Sequence, residues 1–214
     1  MKILLSLETE ESLDIFPYLA KQIDGIKVNH LLWNEVNFDV GDKELFVDLK
    51  LWDTPNTVET VVKKVIDLGG TMVSVCAHNC QETFQRLKML SDQIKLVGVV
   101  SLTSWDYETE RAVLRDISYN VWEQTMNKLR RYNFQDLVCP VPDLQAVKAH
   151  DFSGPNAFRY ICPGIVFEKE TIGQTRTGTP KEAKENGADY IVLGRTVTEA
   201  KNPHDVLSRI KGSI

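Results

Sequence analysis

Eight short runs rich in Val, Ile and Leu, separated by amphipathic stretches, constrain this chain more than any other feature. They lie at Ile3–Leu7, Ile26–Asn29, Leu45–Lys50, Thr71–Cys76, Lys95–Leu102, Leu137–Cys139, Tyr160–Cys162 and Tyr190–Leu193. Such near-continuous apolar strands belong to a parallel sheet covered on both faces. Helical periodicity between them predicts helices at Glu11–Gln22, Asn56–Leu68, Cys80–Ser91, Glu108–Arg131 (one bent helix or two), Asp143–Ala149, Pro180–Asn186 and Pro203–Ile210. Only Leu31–Trp33 offers a helical pattern after the second strand. Eight repeats in 214 residues leave about 27 each, the size of a minimal (β/α)8 TIM barrel. The competing architecture is an open doubly wound sheet, but no Gly-x-Gly-x-x-Gly follows the first run. The reading is therefore a single α/β barrel domain spanning residues 1–214.

Local punctuation agrees. Thr179-Pro180-Lys181-Glu182 reads as a capping box with Pro at the first helical position, and Asn186-Gly187 as a left-handed stop. Thr54-Pro55 opens the third helix in the same way. Gly164–Gly178 is the one long loop, and its Gly, Thr and Gln content marks it as functional.

Composition sets the outer limits. With 25 basic and 30 acidic residues the net charge is −5, which gives no general attraction to nucleic acid or to an anionic membrane. Any anionic ligand needs a local cluster of cations. Ile3-Leu4-Leu5 is too short for a secretory signal or a membrane span. Cys76, Cys80, Cys139 and Cys162 are too sparse for a disulfide scaffold, so free thiols in a cytoplasmic protein are expected. Cys76-Ala77-His78-Asn79-Cys80 matches no common zinc spacing, and Cys76 reads as a small packing residue.

The informative charges are those that interrupt the apolar runs. In Leu45-Phe46-Val47-Asp48-Leu49-Lys50, Asp48 and Lys50 stand two apart and face the same side of a strand. Near the C-terminal end of a barrel strand, that side is the mouth, where such folds place their sites. Lys27 sits similarly on the preceding run, and Asp53 falls just past the third. Singly, Lys27 reads as an exposed lysine, Asp48 with Lys50 as a structural ion pair, and Asp53 as a helix cap. Together they point to chemistry, because charges in a barrel mouth are costly unless paired. A second cluster closes the chain. The eighth run leads into Gly194-Arg195, where the backbone can approach a ligand and a guanidinium can grip a phosphate. Gln174 and Arg176 lie in the long loop, and Arg176 reads as a solvated loop residue.

These segments resemble a known family. Asp48-Leu49-Lys50-Leu51-Trp52-Asp53-Thr54-Pro55-Asn56-Thr57 is similar to the Asp-x-Lys-x-x-Asp-Ile-Pro-Asn-Thr signature of the orotidine 5′-monophosphate decarboxylase family. Cys162-Pro163-Gly164-Ile165 resembles its strand-seven motif. Gly187-Ala188-Asp189-Tyr190 through Gly194-Arg195 resembles its strand-eight phosphate motif, and Leu102-Thr103-Ser104 its strand-five end.

The resemblance implies cofactor-free decarboxylation of orotidine monophosphate to uridine monophosphate, with no metal. By position, Lys50 would donate a proton to pyrimidine C6 and Asp48 would lie beside the substrate carboxylate. Lys27 would bridge the ribose and Asp48. Asp53 and Thr57 would reach the site of a partner subunit in a homodimer. Glu8, one methylene longer than the family's Asp, would meet the ribose. Thr103 or Ser104 would approach the pyrimidine, and Gln174, Gly194 and Arg195 would hold the phosphate. The Gly164–Gly178 loop would act as a lid. Trp52, Thr54, Val166 and Asn29 replace the family's His, Ile, Arg and Gly.

Two rivals remain at this stage. Sugar-phosphate decarboxylases and hexulose-phosphate synthases of the same superfamily carry a magnesium-binding acid on strand two, where this chain has Lys27. The other rival is a non-catalytic nucleotide-binding barrel.

Overall fold

The computed structural model describes residues 1–34, 40–114, 119–151, 154, 157–167 and 175–214. In chain order the elements are β1 (Lys2–Leu7), α1 (Glu10–Leu13), α2 (Phe16–Leu19), β2 (Gly25–Val28), β3 (Glu44–Leu51), α3 (Pro55–Asp67), β4 (Met72–Cys76), α4 (Gln81–Lys88) and β5 (Lys95–Val99). They continue with α5 (Tyr107–Leu114), α6 (Tyr119–Arg131), β6 (Asp136–Val138), α7 (Leu144–Ala149), β7 (Arg159–Cys162), α8 (Pro180–Glu185), β8 (Tyr190–Leu193), α9 (Arg195–Thr198) and α10 (Pro203–Ser213).

The strands form a closed barrel in sequence order, each parallel to the next. Pairing of β1 with β8, from Lys2 opposite Tyr190 to Leu5 opposite Leu193, excludes the open sheet. Strand alternation then divides the apolar residues into two layers. Leu4, Phe46, Met72, Val97, Val138, Ile161 and Val192 fill the barrel interior. Leu5, Val47, Val73, Leu96 and Ile191 face outward into the helices, against Val58, Val62, Phe84, Leu87 and Leu207. Charged residues plug the N-terminal rim. Arg159 donates to both oxygens of Asp136 at 2.8 and 2.7 Å, and Lys95 and Lys2 both pair with Glu44.

Four local expectations differ from the structure. Glu11–Gln22 is not one helix but α1, α2 and a 3-10 turn at Ala20–Gln22. Pro17 lacks an N–H and crowds the preceding carbonyls, so a continuous helix breaks ahead of it. Leu31–Trp33 is a single turn on the Asn29 carbonyl rather than a helix. The fifth strand stops at Val99, its last residue paired with β6, because the chain after Val138 turns at Pro140 and offers no further ladder. Thr54 caps α3 by position only, since its hydroxyl lies 2.9 Å from that of Thr57 instead of bonding the helix backbone. The Glu108–Arg131 pattern is two helices, α5 and α6. The Thr179 box forms with both reciprocal bonds, and Gly187 takes φ +78°.

Candidate active site

The C-terminal ends of the strands surround a cavity of about 320 Å³. β1 brings Ser6 and then Glu8, β2 brings Lys27, and β3 brings Asp48 and Lys50. The segment after β5 adds Ser101, Thr103 and Ser104, and the end of β8 adds Gly194 and Arg195. Below these polar groups, Phe46, Val99, Val138, Ile161 and Val192 give the cavity an apolar floor.

The charges are linked. The Lys50 Nζ lies 2.7 Å from Asp48 Oδ2, and the Lys27 Nζ lies 3.9 Å from the same oxygen. Lys27 also donates to Glu8 Oε1 at 3.1 Å. Burial alone would raise the Asp48 carboxyl, but the Lys50 and Lys27 charges and the hydrogen bonds from Lys50 and Ser74 outweigh it. They hold Asp48 below the ordinary carboxylate range. Glu8 is also lowered: Lys27, the Ser6 hydroxyl and the Arg195 charge together exceed the opposing effect of burial. The mouth therefore presents ionised acids between cations.

The backbone of β3 is not a plain strand here. Val47 pairs with Val73 but Leu51 with Val75, so four steps of β3 face two of β4. Lys50 takes φ +48° within this irregularity, a left-handed conformation uncommon for a residue with a side chain. Asp48 and Lys50 do converge, and the bulge is part of how they meet. Beyond it, the Asn79 amide donates to the Leu51 and Cys76 carbonyls at 2.7 and 2.9 Å and ties β3 to the segment after β4.

At the opposite side of the mouth Gly194 adjoins Ser6. A Cβ on Gly194 would meet nothing nearer than the Ser6 Cβ at 3.7 Å, so the space above it belongs to the cavity. A ligand can therefore come close to this backbone.

Two predicted residues lie elsewhere. Asp53 and Thr57 are exposed and outside the cavity lining, with the Asp53 carboxylate accepting the Thr54 N–H at 2.6 Å. Gln174 lies outside the described residues. Arg176 corrects its reading as a solvated residue, being only 4% exposed. It pairs with Glu110 and Asp143, and it donates to the Ser101 hydroxyl and the Leu102 carbonyl at 3.0 and 2.7 Å. Its partners come from distant segments, so no local pattern exposes the role. Ser74 was also missed. Its only signal is a polar residue at an inward-facing place in Met72-Val73-Ser74-Val75. Among the described residues no group of three or more His, Cys, Asp and Glu is placed to hold a metal ion. The His78 ring nitrogen lies 2.9 Å from the Val100 carbonyl.

The pattern of the orotidine 5′-phosphate decarboxylase / HUMPS family matches residues 8–210. The chain belongs to this family. Among relatives named orotidine 5′-phosphate decarboxylase, that of Streptococcus sanguinis is 36% identical over 172 residues, covering 78% of this chain and 73% of that protein. One from Actinobacillus pleuropneumoniae is 34% identical over 192 residues, covering 85% and 78%. The crystal structure of orotidine 5′-phosphate decarboxylase from Lactobacillus acidophilus superimposes with a TM-score of 0.75 at 25% identity, covering 99% and 98% of the two chains. The closed eight-stranded barrel is in keeping with this membership.

Proposed function

We propose that this protein removes carbon dioxide from orotidine 5′-monophosphate to give uridine 5′-monophosphate, the closing step of pyrimidine nucleotide synthesis, without metal or cofactor. The observation that carries this reading is the Lys27–Asp48–Lys50 array at the β2 and β3 ends of a cavity whose β8 side carries Gly194 and Arg195. The substrate is a double anion, with a phosphate at one end and a carboxylate at the other, and the cavity has cations on both sides.

Loss of carbon dioxide leaves carbanion character at C6. The Lys50 ammonium stabilises that charge and then delivers the proton. Asp48 holds Lys50 and lies beside the departing carboxylate, and Lys27 with Glu8 meets the ribose. Thr103 or Ser104 contacts the pyrimidine. Gln174, Gly194 and Arg195 take the phosphate, whose binding energy, remote from the reacting carbon, is available to assemble the reacting end. Asp53 and Thr57 serve the neighbouring site of a homodimer. Their exposure outside their own cavity, next to an exposed Trp52, supports this sharing. No described helix is long and apolar enough to cross a membrane, in keeping with a cytoplasmic enzyme.

The test is to treat the purified protein with chelator, add orotidine monophosphate and follow the pyrimidine ultraviolet absorbance. Turnover without added metal is expected. A folded protein that leaves the absorbance unchanged would sink the reading. Turnover only after magnesium is restored would move the protein to the sugar-phosphate branch.

A further inference from the structure

Ser74 stands at the centre of β4, fully buried, and its single hydroxyl is used twice. It donates to Asp48 Oδ1 at 2.7 Å and accepts the Lys50 backbone N–H at 2.7 Å. The other Asp48 oxygen, Oδ2, receives the Lys50 ammonium. One hydroxyl thus closes a ring that runs from the Lys50 backbone through Ser74 and Asp48 to the Lys50 side chain. From this geometry we infer that Ser74 is a positioning residue for the decarboxylation, fixing the Asp48 carboxylate and the Lys50 ammonium relative to each other.

The inference rests on the decarboxylase reading for its catalytic consequence, but its structural content is independent. Between Val47 and Leu51 the β3–β4 register breaks, so the Lys50 N–H finds its partner in the Ser74 side chain. Lys50 also holds φ +48°, a conformation that survives in a side-chain-bearing residue only where the surroundings enforce it. Without the hydroxyl, that N–H and Asp48 Oδ1 both lose a partner in a dry position. Relaxation of Lys50 out of this left-handed conformation would then displace its ammonium from its place beside Asp48 Oδ2. The hydroxyl is needed as donor and acceptor at once. Alanine supplies neither function, cysteine only weak ones, and threonine both.

The groups around Asp48 are Lys50 on its own strand, Lys27 on β2 with Glu8 beyond it, and Ser74 on β4, where Cys76 is the nearest ionisable residue along the strand. Of these, Ser74 is the neutral donor that favours the ionised carboxylate. Its removal takes that donor from the carboxylate and shifts Asp48 titration upward.

The experiment compares wild type, Ser74→Ala and Ser74→Thr by steady-state kinetics with orotidine monophosphate and by carbon-13 titration of the aspartate carboxyls without substrate. Ser74→Ala is expected to lower kcat by about 10- to 100-fold with KM within about threefold, as a misplaced catalytic group does. The acid limb of its kcat/KM profile and the Asp48 titration should both move to higher pH. Ser74→Thr should restore kcat to within about tenfold and return the titration to the wild-type position. A folded Ser74→Ala with wild-type kcat, or with an unmoved Asp48 titration, overturns the inference, as does a loss seen in KM alone. If Ser74→Ala does not fold, Ser74→Cys takes its place with the same expected and overturning results. If wild type shows no turnover but the Asp48 titration shifts in the variant, the decarboxylase reading fails and the positioning role stands.

Discussion

At the scale of single residues, the site is a balance of charges held at short range. Lys50 is predicted to be indispensable. Lys50→Ala should lower kcat by about 1,000-fold or more while a non-reacting nucleotide analogue still binds, measured by turnover beside calorimetric titration. Near-normal turnover would remove Lys50 from the proton-donor role. The two acids make a second prediction, on stability. Asp48 and Glu8 both titrate lower in the folded protein than in the unfolded chain. Their contribution is therefore present above the ordinary carboxylate range and is lost as pH falls through the lowered folded values. The melting temperature should hold from neutrality to about pH 5 and fall below about pH 4, with a shallower fall in Asp48→Asn. A variant as steep as wild type would assign the loss to other carboxylates. Lys27, Asp48 and Lys50 were legible because charge is conspicuous inside an apolar run. Ser74 was not: a serine in a strand looks neutral until the register break places it between two members of the array.

At the scale of elements, legibility follows the range of the interaction. The Thr179–Glu182 box is closed within four residues, so the sequence displays the whole device and the structure repeats it. The break ahead of Pro17 is equally local, a missing N–H inside a helical pattern, yet the reading of Glu11–Gln22 as one helix passed over it. Arg176 is the opposite case, since it joins the end of the long loop to Glu110 on α5, to Asp143 just before α7, and to Ser101 and Leu102 after β5. The Thr103 carbonyl, beside residues that face the cavity, also accepts the Arg176 N–H at 3.3 Å. Arg176→Ala would leave the buried Glu110 and the partly buried Asp143 without their guanidinium. The expected cost is about 3–5 kcal/mol of folding stability, read by denaturant titration. Arg176→Lys should recover little of it, because an ammonium cannot span both carboxylates and the Leu102 carbonyl as a planar fork does. If the alanine variant is as stable as wild type, Arg176 is not the clamp described here.

At the scale of the whole molecule, eight apolar runs were enough to give a barrel, because a parallel sheet buried on both faces at this length has few other ways to remove its edges. The resemblance implies that Asp53 and Thr57 serve a partner's site, and the structure leaves both outside their own cavity. Asp53 shares a motif with Asp48 and Lys50, yet Pro55 starts α3 just beyond it and the chain turns outward, leaving Asp53, Trp52 and Thr57 exposed. On the proposed sharing, a second copy would bring its α3 start to this mouth, with the same surface used on both subunits as two-fold symmetry requires. Complementation tests this directly. Lys50→Ala and Asp53→Ala should each be inactive as homodimers. When equal amounts are unfolded together and refolded, about half the dimers are mixed, and each mixed dimer carries one site with both residues intact. About a quarter of wild-type activity should therefore return, with the doubly substituted site of the same dimer remaining silent. Mixed dimers demonstrated by mass spectrometry with no regained turnover would confine each site to one chain and leave Asp53 as a surface residue.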